Sequence, residues 1–193
     1  MKFHVYLLLA LFFQAGSVSA QHVNFGIKGG LNVYTINNDN DANFDSKAGF
    51  NLGLLSHIHL AKQWAIQPEI VYSLQGATNN AGNLETKINL GYINIPVLFQ
   101  YMFDNGFRLQ AGPQVGFLVN AKSKTGSLST DIKDNLKTAD FGLAVGAGYV
   151  HTPSGFGVDA RYNFGLSNIN DYSSDKLFNR GFQLGVFYLF KHR

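Results

Sequence analysis

The run from Phe156 to Leu166 alternates without a break. Phe156, Val158, Ala160, Tyr162, Phe164 and Leu166 take one parity; Gly157, Asp159, Arg161, Asn163 and Gly165 take the other. Successive side chains of a strand point to opposite faces. This segment is therefore a strand with an apolar, aromatic face and a small, polar, charged face. A strand of that kind separates two media, and most of the chain repeats its code.

Seven further strands follow from the same reading. Val23 to Tyr34 sets Val23, Phe25, Ile27, Leu31 and Val33 against Asn24, Gly26, Lys28, Gly30 and Asn32. Lys47 to Leu60 sets Phe50, Leu52, Leu54, Ile58 and Leu60 against Asn51, Gly53, His57 and His59. Trp64 to Gln75 carries Trp64, Ile66, Pro68, Ile70, Tyr72 and Leu74 opposite Gln67, Glu69, Ser73 and Gln75. Lys87 to Met102 keeps phase through Ile93, Ile95, Val97, Phe99 and Tyr101, but Ile88, Leu90 and Tyr92 fall on the other parity. A bulge near Tyr92 would restore the register, because a bulge adds one residue to one strand. Pro96 lies on the inward parity and removes a ladder donor. Phe107 to Ala121, Ala139 to Val150 and Phe178 to Phe190 complete the set.

The connections alternate in length. Loops 35–46, 76–86, 122–138 and 167–177 are long and polar, whereas the turns near 61–63, 103–106 and 151–155 are short. Asp104-Asn-Gly106 is a hairpin signal. Short turns on one side and long loops on the other mark an outer-membrane barrel. The expected fold is all-β: an eight-stranded antiparallel transmembrane up-and-down barrel. At this strand number side chains fill the lumen and leave no pore.

A soluble barrel would show the same alternation turned inside out. The polar parity is rich in glycine, as at Gly142, Gly146 and Gly148. A crowded lumen needs small residues and a wet surface does not. Aromatics gather at the short-turn ends, at Trp64, Tyr101, Phe107, Tyr149, Phe156 and Phe190, as in an interfacial girdle. Charged residues make up only 14% of the chain, against about 25% for a soluble domain.

Met1 to Ala20 reads as a secretory signal peptide, with Lys2, the apolar core Val5 to Phe13 and the small-residue site Val18-Ser-Ala20. Residues 21–193 then form one barrel domain. The net charge of +3 becomes +2 without Lys2, and the basic residues are scattered, which excludes a nucleic-acid footprint. The absence of cysteine excludes disulfides and thiolate metal sites.

The inward charges are Lys28, Glu69, Arg108, Asp140, Asp159 and Arg161. Three basic and three acidic groups balance. Buried charges must pair and hydrogen-bond, so a structural salt-bridge network is expected in the lumen, with Arg108 and Arg161 bridging Glu69 and Asp159.

Several blocks together resemble the PorT-like outer-membrane β-barrel family, typical of Bacteroidota. They are Phe25-Gly-Ile-Lys-Gly-Gly-Leu-Asn-Val33, Gln67-Pro-Glu-Ile-Val-Tyr-Ser73 with Gly76, Tyr92-Ile-Asn-Ile-Pro-Val-Leu98, Ala111-Gly-Pro-Gln-Val-Gly-Phe117 and Asp159-Ala-Arg-Tyr-Asn-Phe-Gly-Leu166. The resemblance implies fold and outer-membrane location but no reaction, since most members have no assigned activity. Its name-giving branch is tied to secretion machinery. The tail Lys191-His-Arg193 after Phe190 departs from the family pattern.

Chemistry is sparse. His57 and His59 share one strand face but lack an identified third metal ligand. His151 falls in a turn. No serine sits in a nucleophile elbow and no phosphate loop occurs. Asp39, Asp41 and Asp45 lack the glycine-spaced pattern of a calcium loop. No enzyme activity, metal or cofactor is expected. The expected function is that of a structural or surface-interaction barrel. Its partners would be outer-membrane lipid and lipopolysaccharide, the barrel-assembly machinery during insertion, and envelope proteins met through the four long loops. The alternatives are an accessory of protein secretion and a lipid-modifying or other rim-site enzyme.

Overall fold

The computed structural model describes residues 23–38, 44–81, 84–172 and 175–190. The expected signal peptide, the basic tail, Asp39 and Asp41 lie outside the described residues. The strands are β1 (Val23–Asn38), β2 (Asp45–Ala61), β3 (Trp64–Ala81), β4 (Leu84–Met102), β5 (Phe107–Thr125), β6 (Leu128–Asp131), β7 (Ala139–His151), β8 (Phe156–Gly165) and β9 (Leu177–Leu189). Their order is β4-β3-β2-β1-β9-β8-β7-β5, and β4 pairs with β5 to close the ring. Strand β6 folds back on β5 alone, so eight strands make the wall. The first and last wall strands pair antiparallel, from Gly26↔Leu189 to Asn38↔Leu177. A closed ring leaves no edge, which is what lets strands stand in lipid. Among the described residues no helix is long and apolar enough to cross a membrane.

The apolar face is outside. Leu31 is 69% exposed and Phe156 62%, while Lys28 and Arg161 are each 2% exposed. An oil-soluble surface around a polar core is the reverse of a water-soluble fold. At the short-turn end aromatic rings form two chains, Trp64–Tyr101–Phe103–Phe107 and Phe156–Tyr188–Phe190, with centroids 4.7 to 5.6 Å apart.

The wall is uneven in height. Strands β3, β4 and β5 have 18, 19 and 19 residues, and β7, β8 and β9 have 13, 10 and 13. Crossing the membrane takes only about 9–11. The tall strands continue through stretches expected as loops. Strands β3 and β4 stay paired from Gly76↔Asn89 to Ala81↔Leu84, and β5 and β6 form a hairpin within 122–138. Outside lipid a strand pair needs no apolar parity, so composition there reads as loop.

The expected bulge near Tyr92 exists, but on the partner strand. Gly91 pairs with Asn120 and Tyr92 with Leu118, so the extra residue is Val119 of β5. Strand β4 keeps one register against β3 from Val71↔Asn94 to Ala81↔Leu84. Leu90 and Tyr92 therefore stay inside, 0% and 1% exposed. The bulge inverts parity along β5. Below it Arg108, Gln110 and Leu118 face in; above it Ala121 faces in, and Lys122 and Lys124 face out.

Pro96 is accommodated by a gap in the β3–β4 ladder. Pairing runs from Trp64↔Tyr101 to Pro68↔Val97 and resumes at Val71↔Asn94. Glu69 thus stands across from Pro96 and Ile70 across from Ile95, in the gap where the ladder has no pairing.

Candidate functional site

The barrel interior is stacked in three levels. The long-loop end is closed by an apolar plug of Ile36, Ala77, Leu90, Tyr92, Leu118, Ala121 and Ile169. Ile169 arrives from the loop after β8 and is 0% exposed. Its carbonyl accepts from the Lys137 N–H at 2.8 Å, and its own N–H donates to Leu177 O at 2.9 Å. The plug blocks the lumen from outside.

Below the plug lies a charge cluster. Arg161 donates to both oxygens of Glu69, each at 2.9 Å, and to Asp159 Oδ2 at 3.1 Å. Lys28 Nζ reaches Glu69 Oε2 at 3.3 Å and Asp159 Oδ2 at 3.1 Å. Gln67 Nε2 adds a 2.7 Å bond to Glu69 Oε1. A two-pronged guanidinium–carboxylate pair with its oxygens further satisfied is the arrangement that offsets the desolvation of buried charge.

Two of the six inward charges stand apart. Asp140 is at the long-loop end, where Ser167 Oγ at 2.8 Å and Asn179 Nδ2 at 3.1 Å donate to it. Arg108 does not bridge Glu69 and Asp159. Its Nη1 donates to Gln67 Oε1 and Gln100 Oε1, each at 3.4 Å, and its guanidinium lies 4.2 Å from the Phe187 ring centroid. The physical reason is height along the barrel. Arg108 follows the short turn by a single residue, Phe107, and sits nearer the mouth than the carboxylates. Sign and parity were legible in the sequence, but height was not. Phe187 carried no polar signal and was not foreseen as a cation partner.

The third level is a vestibule at the short-turn mouth, with a volume of about 380 Å³. Asn24, His57, His59, Lys62, Asp104 and Arg108 supply its polar lining. The two histidine rings meet edge to face, with centroids 4.6 Å apart. Among the described residues no group of three or more His, Cys, Asp or Glu is placed to hold a metal. In the neighbouring turn His151 Nδ1 and Ser154 Oγ are 2.9 Å apart. That hydroxyl also donates to His151 O at 3.2 Å and accepts from the Phe156 N–H at 3.3 Å, so it builds the turn.

A closed antiparallel ring of eight strands, apolar outside and charged within, defines a small outer-membrane β-barrel. The family model described as "Outer membrane protein beta-barrel domain" matches residues 15–171, and the chain belongs to that family. Its fold is similar to Neisserial surface protein A, with a TM-score of 0.61 and 15% identity, covering 88% of this chain and 99% of that one. It is also similar to Ail, the attachment invasion locus protein of Yersinia pestis, with a TM-score of 0.51 and 18% identity, covering 86% and 98%. Among curated proteins no sequence matches the chain.

Proposed function

We propose that this barrel is a non-enzymatic surface-interaction protein whose tall wall holds anionic lipid headgroups of the outer leaflet, lipopolysaccharide phosphates above all. The observation that carries this reading is the lysine row made by the Val119 bulge. Lys87 on β4 stands directly opposite Lys124 on β5, and Lys122 stands two residues below, opposite Asn89. All three are exposed on the outer face. Past the pair Gly91↔Asn120 the outward residues toward the membrane are apolar, with Phe117 and Val119 on β5 and Ile93 on β4. Like charges directly opposite destabilise a strand pair unless something anionic bridges them. Glu85 answers Lys87 at 3.2 Å and Lys122 stands opposite Asp131 on β6, whereas Lys124 stands opposite Ser129, which leaves Lys124 foremost among the three for the headgroup zone.

Ail has also been solved in complex with the heparin analogue sucrose octasulfate. That protein takes a polyanion on the same architecture, which supports the reading. The PorT-like resemblance fits a Bacteroidota branch of the family. The Lys28–Glu69–Asp159–Arg161 cluster then fastens the wall from inside.

The test is binding of the refolded barrel to lipopolysaccharide in zwitterionic vesicles, with the Lys87→Gln/Lys122→Gln/Lys124→Gln barrel beside it. Each lysine near an anionic surface contributes about 1 kcal/mol, so affinity should fall roughly 100-fold. Unchanged affinity would remove the lysine row from the function.

A further inference from the structure

We infer that the vestibule at the short-turn mouth is a binding site for a small oxyanion, a phosphate or carboxylate group, received by Arg108. Three observations converge on it, and none involves the lysine row.

The first is charge. Inside the wall three cations, Lys28, Arg108 and Arg161, stand with two carboxylates, Glu69 and Asp159. Both carboxylates are engaged by Lys28 and Arg161, Glu69 through both oxygens and Asp159 through Oδ2 alone. Asp140 is committed to Ser167 and Asn179 at the other end. Arg108 is 1% exposed, and no carboxylate lies within ion-pairing distance of it among the described residues. A buried guanidinium held only by two amide oxygens and a ring face is a cation with its counter-charge still to come.

The second is hydrogen-bond sign. Unpartnered buried side-chain atoms around this floor include the donors Arg108 Nε and Nη2 and Gln110 Nε2, and His57 Nδ1 and His59 Nδ1, which donate in the tautomer that carries the hydrogen there. Asp159 Oδ1, from a residue that packs with Arg108 against Gly148, is an unpartnered acceptor beside them, so donors outnumber acceptors. The amide oxygens that could have served them are already in use. Gln67 Oε1 and Gln100 Oε1 take Arg108, and Gln110 Oε1 takes Gln100. A donor-rich floor asks for an acceptor with several lone pairs.

The third is access. The apolar plug closes the lumen at the long-loop end, and the vestibule opens at the opposite mouth. Lys62 and Asp104 line it together, 4.0 Å apart, and offset each other. A small anion can therefore enter from the periplasmic side as far as the vestibule floor, where Arg108, 1% exposed, turns its side chain to meet it. Gly148 completes the seat: a Cβ there would lie 3.2 Å from Arg108 Nε, so glycine leaves the guanidinium its room.

The experiment uses the full mature barrel refolded in micelles. The Arg108 Nε–Hε resonance, assigned through the backbone, is followed by NMR against inorganic phosphate, N-acetylglycine and N-acetylglycine amide, with chloride holding ionic strength fixed. We expect saturable shifts with phosphate, N-acetylglycine or both, and none with the amide. Response to phosphate alone assigns a phosphate site, and response to both oxyanions assigns a general one. The dissociation constant, read in both barrels from the backbone amides of residue 108 and its vestibule neighbours, should rise roughly tenfold to hundredfold in Arg108→Gln, the fold-change carried by one charge-assisted hydrogen bond. The Lys87→Gln/Lys122→Gln/Lys124→Gln barrel should respond as the parent does, so this site and the lysine row fail or stand separately. If Arg108→Gln does not fold, the parent titration decides, together with a His59→Phe barrel in which weaker binding is expected. No saturable shift in the parent, or equal response to the amide, overturns the proposal and leaves those nitrogens to water.

Discussion

The tip of the Phe187 ring occupies the space where a Cβ on Gly157 would sit, and the two residues are cross-strand partners in β8 and β9. The same ring carries the Arg108 guanidinium 4.2 Å from its centroid. Tyr34 repeats the device over Gly181, its partner across β1 and β9. In both pairs a lumenal glycine lets an aromatic ring lie down against the wall. That is how a narrow barrel fits large rings inside.

Gly157→Ala should therefore push Phe187 off its seat and disturb Arg108 with it. Overpacking of this kind costs about 1–3 kcal/mol. Gly29→Ala is the matched control, because a Cβ there would lie 3.5 Å from Leu52 Cδ1, an ordinary contact. It should stay within about 0.5 kcal/mol of the parent. Urea unfolding in lipid vesicles reads both, and equal stabilities for the two variants would show that the ring simply rotates away.

How much of this was legible in the sequence depends on which signal a residue carries. Period-two alternation marked all eight wall strands, because lipid on one side and a polar core on the other enforce it at nearly every position. Parity also put Lys28, Glu69, Asp159 and Arg161 on one face. It failed at Leu90 and Tyr92. Their parity conflicts with Ile93 and Ile95 only if the lumen is polar throughout, and at the plug it is not. A bulge does lie at that level, but on β5, where it leaves Leu90 and Tyr92 inside, and Val119 carries no mark of its own in the sequence. Leu55, Val71, Leu98 and Phe187 are inward and apolar too, outside the plug, so apolar side chains also fill the lumen between its polar groups. Ile169 lay in a stretch composed like any surface loop, and only the fold brings it onto the plug.

The charge cluster has a hub. Glu69 receives both prongs of Arg161 and the ammonium of Lys28. Glu69→Gln leaves two buried cations to share Asp159, and breaking a buried pair on one side costs about 3–5 kcal/mol. Arg161→Gln should cost a comparable amount. The double variant should cost clearly less than the sum, because each single change already removes the shared interaction. The cycle is measured by urea unfolding in vesicles. Strict additivity would mean that Glu69 and Arg161 are held independently, and the fastening role would go to Lys28.

The plug predicts a local effect without global unfolding. Ile169→Ala removes its best-buried loop side chain, a change that costs about 2–4 kcal/mol in a packed site. The loss falls on docking of the loop between β8 and β9, whose free energy of opening is a fraction of the whole. Trypsin should then cut after Lys137 or Lys176 roughly 30-fold faster or more, while the barrel core stays folded. Cleavage at the parent rate would mean that backbone bonds such as Lys137 N–H to Ile169 O hold the loop unaided.

The outward face makes the last prediction, and it tests leader and barrel together. Exposed Phe25, Leu31, Leu52, Ile70, Phe156 and Val186 would give a water-soluble chain an apolar surface far larger than a monomer carries in solution. In lipid the same surface is the stabilising one, and the closed ladder keeps every strand edge paired. Protein taken from separated membranes should therefore come from the outer-membrane fraction. Intact mass should place Gln21 at its start, since Val18-Ser-Ala20 reads as the cleavage site. Unboiled samples should migrate apart from boiled ones, because a closed barrel resists detergent until heated. A soluble periplasmic protein with no shift would contradict the inside-out arrangement itself. A shifted band from a chain that retains its first residues would spare the barrel and overturn only the cleavage site. The two measurements separate the address from the fold.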